Sequence, residues 1–299
     1  MIKPQPLCKG DYVAIISPAG ALQHPETLNM ATERLATWGL KVVIAPHALT
    51  RDGYFAGSIE ERSADILAML RDDKIKAIFC SYGGYGCVHL LPHICEEIAR
   101  NPKWLIGMSD CSALLAAWAN NGIMCMHAVQ CRHLAENGDN KSVEYLRNTL
   151  FGWHPHYSIE PHPLNREGSA TGTLVGGNLS VLTALINTPY DILKPNNILF
   201  IEDINEPLYK IERMLYTLKL SGVLGSLRGL IVGSFEGCKE NRILGSSAHE
   251  IIRRMIEEYD YPVCFSFPVG HGKECYPLIE GATINMDIKT EGTNIAFCS

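Results

Sequence analysis

Five apolar, strand-like runs of this sequence end in residues whose types suit chemistry: Ser17-Pro-Ala-Gly, Gly83-Gly-Tyr-Gly, Gly107-Met-Ser-Asp, Glu202-Asp-Ile-Asn-Glu and Gly270-His-Gly. In open α/β sheets the functional groups gather at the carboxyl ends of the strands, so a site is expected among these ends. Acyl transfer to serine needs a nucleophile, a base within hydrogen-bond reach and a carboxylate that orients the base. Ser109, His271 and either Glu202 or Asp203 are residues of those types in compatible places. In LIGMSDCSALLAAW (105–118) an apolar run stops at the serine and resumes with helical spacing. A strand that turns sharply into a helix holds one side chain up at the turn, with the first helical N–H groups aimed at whatever sits above it. That builds a nucleophile together with half of an oxyanion hole.

Each of these residues also has a purely structural reading. Ser109 or Asp110 would N-cap the helix Ser112–Asn120, and Asp110 can cap while its main-chain N–H serves an oxyanion. His271 would be a solvated loop histidine, and Glu202 or Asp203 a charge complementing the helix that opens at Pro207. The Gly83–Gly86 turn lacks the full G-x-G-x-x-G and no Walker lysine follows, so it suits an oxyanion hole at least as well as a phosphate. The order Ser…Glu…His is that of α/β-hydrolases, but Gly-Met-Ser-Asp-Cys lacks the second glycine of G-x-S-x-G, which argues against that fold. His154, His156 and His162 alternate with prolines, and no cysteine or carboxylate set completes a metal site. Cys111 reads as a packed small residue on the helix's first turn.

The elements that must position these residues alternate through the first half. Strand-like segments at 11–20, 40–46, 75–86 and 122–130 are interleaved with helices at 24–39 and 58–73, the second behind a Ser-x-x-Glu capping box. Such alternation predicts a parallel sheet with helices on both faces. Residues 151–166 lose the periodicity and collect three prolines, which predicts a linker between an N-terminal domain, 1–150, and a C-terminal domain, 167–299. Beyond it come a strand at 197–206, the helix opening at Pro207, strand-like pieces at 229–235, 262–270 and 282–288, and a helix at 248–259, a mixed and partly antiparallel pattern.

The 299 residues, 46% hydrophobic and 19% charged, describe a globular protein with a substantial core. With 26 Lys+Arg against 32 Asp+Glu there is no basic excess for a nucleic acid. No run approaches the ~20 apolar residues of a membrane span, and no signal-peptide pattern opens the sequence. Eleven cysteines, many in apolar runs and none in a CxxC pair, read as reduced, buried thiols of a cytoplasmic protein.

The segments FAGSIEERSADILAML, GGYGCVHLLP, IGMSDCSAL, GTLVGGNLSVLTALINTP, ILFIEDINEPLYKIERML and VGHG, in this order and spacing, resemble the LD-carboxypeptidases of serine-peptidase family S66. The resemblance runs from about Ser17 to His271. It implies a flavodoxin-like N-terminal α/β domain, a smaller mixed α/β C-terminal domain and an assembly that is often a homodimer. It also implies a triad of Ser109, Glu202 and His271, with oxyanion donors at Asp110 and in the glycine turn at Gly84, beside Tyr85 and Gly86. The implied reaction is release of the terminal D-alanine of a murein tetrapeptide in cytoplasmic cell-wall recycling, with no metal or organic cofactor. A microcin-immunity-like hydrolase of peptidyl or aminoacyl nucleotides, and a non-catalytic murein-fragment binder, are the alternatives. The sequence departs from the family pattern at Tyr82 and His89, where arginines are usual, and at His127-Ala-Val-Gln, where His-Gly-Pro is usual. Two guanidinium groups that could pair with a substrate carboxylate are therefore missing.

Overall fold

The computed structural model describes residues 1–135, 140–238 and 245–298. Two compact units divide the chain: Met1–Trp153 with Tyr276–Gly281, and His154–Cys275 with Ala282–Ser299.

The first unit is built from β1 (Tyr12–Ile16), α1 (Glu26–Thr37), β2 (Lys41–Ile44), α2 (Ile59–Arg71), β3 (Ile75–Cys80), α3 (Leu91–Ile98), β4 (Trp104–Gly107), α4 (Ser112–Asn120), β5 (Cys125–His127), α5 (Cys131–Ala135) and α6 (Lys141–Leu150). The strands pair in parallel in the order β5-β4-β3-β1-β2, the flavodoxin-like arrangement. Val13, Ala14, Ile15, Ile78, Phe79, Leu105 and Ile106 are wholly buried, because helices cover both faces of the sheet. α1 buries one stripe, Thr27, Leu28, Ala31 and Leu35, whereas α4 is buried from Ser112 to Trp118, so the helix behind the Ser109 turn is anchored on all sides. The capping box that opens α2 forms as expected, with Ser58 Oγ taking the Glu61 N–H and Glu61 Oε2 taking the Ser58 N–H.

The second unit holds β6 (His156–Ile159), β7 (Gly168–Asn178), α7 (Leu179–Ala184), β8 (Ile198–Ile204), α8 (Leu208–Leu220), β9 (Gly229–Glu236), α9 (Ala248–Met255) and β10 (Val263–Cys264). The chain then returns to the first unit as β11 (Leu278–Glu280), antiparallel to β5, before β12 (Thr283–Lys289) and β13 (Gly292–Phe297) complete the second sheet. That sheet runs β10-β9-β8-β7-β12-β13-β6, parallel from β10 to β7 and antiparallel beyond, which is the mixed pattern expected.

Two expectations change. The stretch 151–166 contains β6, paired to β13, because Tyr157 buries itself against Phe267 and Phe297 while its neighbours stay outside. The strand expected over 262–270 is regular only at Val263–Cys264. Ser266 at φ 57° and Pro268, which has no N–H to donate, break the ladder beyond it, although Phe267 and Val269 still bond to the β9 backbone.

Gly176 on β7 faces Phe200 on β8, and a Cβ there would overlap the Phe200 carbonyl oxygen and ring. Gly176→Ala is expected to cost about 3 kcal/mol or more in urea unfolding. Gly225→Ala, whose Cβ would make only ordinary contact with Tyr259, should stay within about 0.5 kcal/mol.

Candidate functional site: a serine turn and a histidine–glutamate pair

β4 delivers Gly107, then Met108 in extended conformation (φ −155°, ψ −177°), then Ser109 at φ 62°. One turn of 3₁₀ helix, Ser109–Cys111, leads into α4. A non-glycine residue in the left-handed region is strained by about 1–3 kcal/mol, and serine at such a strand-to-helix turn is the geometry of a nucleophile elbow. Gly107 makes the turn possible, since a Cβ there would sit 2.8 Å from Cys111 Cβ and 3.2 Å from Cys80 Sγ. Cys111 occupies the place of the missing second glycine. It is small enough to pack against Gly107, and its sulfur is ringed by donors from Cys80, Cys87 and Gln130 that hold its thiol well below the usual range. Being wholly buried, it is a packed residue, as its apolar setting in the sequence suggests. Gln130 Nε2 also donates to the Met108 carbonyl at 2.9 Å, tying down the peptide just before Ser109.

The helix-capping reading does not hold. The cap position of α4 falls on Cys111 and no side chain caps it, because the 3₁₀ turn has already consumed residues 109–111. Asp110, expected to cap while its N–H served an oxyanion, instead accepts the Cys87 N–H at 2.8 Å through Oδ2.

The glycine-rich turn lies against Ser109. A Cβ on Gly83 would stand 2.9 Å from Ser109 Cβ, 3.1 Å from Ser109 Oγ and 3.4 Å from Asp110 N, so Gly83 is the residue that must lack a side chain for the turn to approach the serine. The resemblance singles out Gly84 within the Gly83–Gly86 turn, and the part of Gly83 in this approach has no sequence signal beyond Gly-Gly at a strand end. The Gly83 carbonyl accepts from Gly20 N–H at 3.0 Å, and in a planar trans peptide the Gly84 N–H points the opposite way. Tyr85 is half exposed, and its hydroxyl meets His89 Nε2 at 3.2 Å beside the Phe55 ring. Gly86 gives its space to Arg62 and Phe55, either of which a Cβ would approach to 3.0 Å. Arg62 is only 2% exposed and spends its donors on the carbonyls of Gly57, Pro18 and Gly86, so it does not replace the guanidinium groups missing at Tyr82 and His89. At the fifth strand end, Ser17 Oγ is bound to Ser81 Oγ and the Ala48 carbonyl inside the unit.

In the second unit, Glu202 and His271 form a pair. His271 Nδ1 and Glu202 Oε2 are 2.7 Å apart, with the Glu202 side chain wholly buried and that of His271 13% exposed. With Nδ1–H donating to the carboxylate, Nε2 is the nitrogen available for proton transfer. The β8/β9 register shifts here, so that two β9 residues, Gly233 and Ser234, oppose Glu202. Such a bulge bends the ladder and re-aims the side chain opposite it. Gly270, at φ 106°, closes on the carboxylate, and any Cβ there would come within 2.7 Å of Glu202 Oε2. Ser234 Oγ accepts the Gly272 N–H at 3.0 Å, fixing the loop that carries His271. The solvated-loop reading of the histidine therefore gives way to an oriented one.

Asp203, adjacent to Glu202, is structural. Oδ1 accepts from Asn178 Nδ2 at 3.0 Å and from its neighbour Ile204 N at 2.8 Å, and Oδ2 accepts from Ser180 N at 3.0 Å. Burial pushes its carboxyl up to about 6 despite these donors. His162, expected to hold no metal, lies stacked on Phe265.

Comparison with known proteins places both halves of the chain in one family. Residues 13–128 match the LD-carboxypeptidase N-terminal domain, peptidase S66, and residues 171–286 match the LD-carboxypeptidase C-terminal domain. A probable murein peptide carboxypeptidase of Bacillus subtilis is 34% identical over 93% of this chain and 88% of its own length. The murein tetrapeptide carboxypeptidase of Pseudomonas aeruginosa is 30% identical over 88% of each. The crystal structure of muramoyltetrapeptide carboxypeptidase from Oxalobacter formigenes superposes with a TM-score of 0.88 at 25% identity, covering 96% of this chain and 99% of that one. The fold and the family match are those of a peptide hydrolase. The chain belongs to the LD-carboxypeptidase family, peptidase S66.

A carboxyl raised from 3.8 to about 6 on folding binds its proton more tightly in the native state, so its contribution to stability is full below about 4 and is lost as pH rises through 6. Urea unfolding of the wild type at pH 4.5 and 7 is expected to show this component, of order 1–3 kcal/mol. In Asp203→Asn the difference between the two pH values should shrink by that amount; an unchanged difference would mean that Asp203 is not held as described.

Proposed function

We propose that this protein is a serine LD-carboxypeptidase that releases the terminal D-alanine of murein tetrapeptides by cutting the L,D bond, acting in cytoplasmic cell-wall recycling as a homodimer. The observation that carries the reading is the buried 2.7 Å pair of His271 Nδ1 and Glu202 Oε2, which is how a general base is oriented. It is supported by Ser109 at φ 62° against the glycine turn and by the names of the relatives. Ser109 attacks the scissile carbonyl, His271 takes its proton and returns it to the leaving D-alanine amine, and Glu202 stabilises the imidazolium. The N–H groups of Asp110 and Gly84 receive the developing oxyanion, and Tyr85 and Gly86 border the substrate. Neither a metal nor an organic cofactor takes part.

A second reading keeps the triad but takes peptidyl or aminoacyl nucleotides, as in the microcin-immunity branch. What favours it is that Tyr82 and His89 stand at the glycine turn where the family resemblance implies arginines, while Arg62 beside it is buried. A panel of L-Lys and diaminopimelate tetrapeptides against aminoacyl-sulfamoyl adenylates, read by mass spectrometry, separates the two. D-Ala release from the tetrapeptides with intact adenylates is the expected result.

Ser109→Ala, Glu202→Gln and His271→Ala are each expected to lower kcat at least ~10³-fold with unchanged far-UV circular dichroism. Wild-type D-Ala release by Ser109→Ala would refute the serine mechanism, and a binding function that survives it in a protein without turnover would mark a murein-fragment binder.

A further inference from the structure

The peptide unit joining Gly86 to Cys87 is gripped at both ends by buried charged side chains. Its carbonyl accepts from Arg62 Nη1 at 3.0 Å, and its N–H donates to Asp110 Oδ2 at 2.8 Å. Arg62 is 2% exposed and Asp110 7% exposed. The same Arg62 nitrogen donates to the Pro18 carbonyl at 2.7 Å and Nε donates to Gly57 O at 3.1 Å, so the guanidinium is itself fixed by two further loops. On the other side, Asp110 is the residue directly after Ser109, and its main-chain nitrogen lies 3.4 Å from where a Gly83 Cβ would be. The glycine turn has little stiffness of its own, with Gly84 at φ 97° and Gly86 at φ 129°.

We infer that the Asp110 side chain is a positioning residue: with Arg62 it clamps the Gly86–Cys87 peptide and so sets the distance between the glycine turn and Ser109. The inference rests on the serine mechanism proposed above. One residue then has two jobs, its N–H at the oxyanion and its carboxylate on the turn that carries the other donor. Charge-assisted hydrogen bonds from a buried carboxylate and guanidinium are stronger than neutral ones, and this suits a part whose misplacement by an ångström costs catalysis. The groups facing the carboxylate are Cys87 from the turn, Arg62 from α2, Cys80 at the end of β3, Cys111 on its own turn, and Tyr54. Burial is the largest influence and pushes the Asp110 carboxyl up to about 6, while the Cys87 N–H and Arg62 pull against it. Protonation as pH falls through that value removes the negative charge, weakens the bond from Cys87 and loosens the turn.

The test is steady-state D-Ala release by the full chain between pH 5 and 8. Asp110→Asn retains an acceptor and the shape but neither charge nor titration, and is expected to lower kcat about 10-fold with KM within about twofold. Its log kcat should lose the wild type's step near pH 6, a fall of up to about 10-fold on the acid side. Asp110→Ala should fall about 100-fold or more, so that the asparagine recovers part of the loss. Arg62→Lys, which keeps charge but not the fork, should also lower kcat at constant KM. A role in stability alone would lower the unfolding midpoint and leave the pH profile and kcat per folded molecule as in the wild type. That outcome for Asp110→Asn, with Ser109→Ala inactive, overturns the clamp and leaves the serine mechanism standing. Activity in Ser109→Ala would instead overturn the mechanism on which the clamp depends.

Discussion

The first unit is organised around one unfavourable backbone conformation, Ser109 at φ 62°. Strain of about 1–3 kcal/mol at a single residue persists only where the surroundings over-determine it. They do so here with two buried hydrogen bonds, Gln130 Nε2 to the Met108 carbonyl and Cys87 N–H to Asp110. At about 1 kcal/mol for a neutral bond and somewhat more for a charged one, these two suffice to hold the turn. Close packing of Gly107 on Cys111 and Cys80, and a helix buried from Ser112 to Trp118, leave the turn no room to relax. Gln130 closes the stretch His127-Ala-Val-Gln, which departs from the pattern that the family resemblance implies, and its amide is used to hold the Met108 carbonyl of the turn.

The Glu202–His271 pair solves a different problem. A carboxylate with no exposed surface is costly unless it is paired. Oε2 is paired with His271, and Oε1 has no hydrogen-bond partner among the described residues. Glycine-sized gaps and a bulge in β9 make the carboxylate's place: Gly270 could not become alanine without meeting Glu202, nor Gly233 without meeting Val269. Backbone brought this close to a buried charge is a substitute for solvent that keeps the imidazole in one orientation.

Patterns that depend on neighbours along the chain are legible in the sequence: the alternating elements, the α2 capping box, the apolar strands and the residues at their ends. The flavodoxin-like order and the triad assignment come from the family resemblance, not from periodicity. What the sequence leaves open is set by contacts distant along the chain. Asp110 reads as a cap because Asp before an apolar run is usually one, but its partner is Cys87, 23 residues away. Proline content at 151–166 hides a four-residue strand that pairs with β13, far ahead in the sequence. Leu278–Glu280 joins β5, a return that no local pattern announces. Gly83 and Gly84 are indistinguishable by type, and only the approach to Ser109 separates them.

The two units share one device. Ser109 and Glu202 are each followed by a buried aspartate whose carboxylate accepts main-chain N–H groups. Asp110 takes Cys87, and Asp203 takes Ser180 and Ile204 together with the Asn178 amide. Burial pushes both carboxyls up to about 6, so desolvation outweighs the hydrogen bonds in each case. A group held against that cost does little for net stability near neutral pH, since the same bonds made by neutral side chains would cost less to bury. What the carboxylate does provide is direction. Its oxygens accept only, so a turn rich in N–H groups can dock on it in few ways. At Asp110 the turn is the glycine-rich one beside the serine, and at Asp203 it is the start of α7 beside the end of β8. In both places the residue after Ser109 or Glu202 is anchored by its side chain, and the anchor is strongest while it is charged.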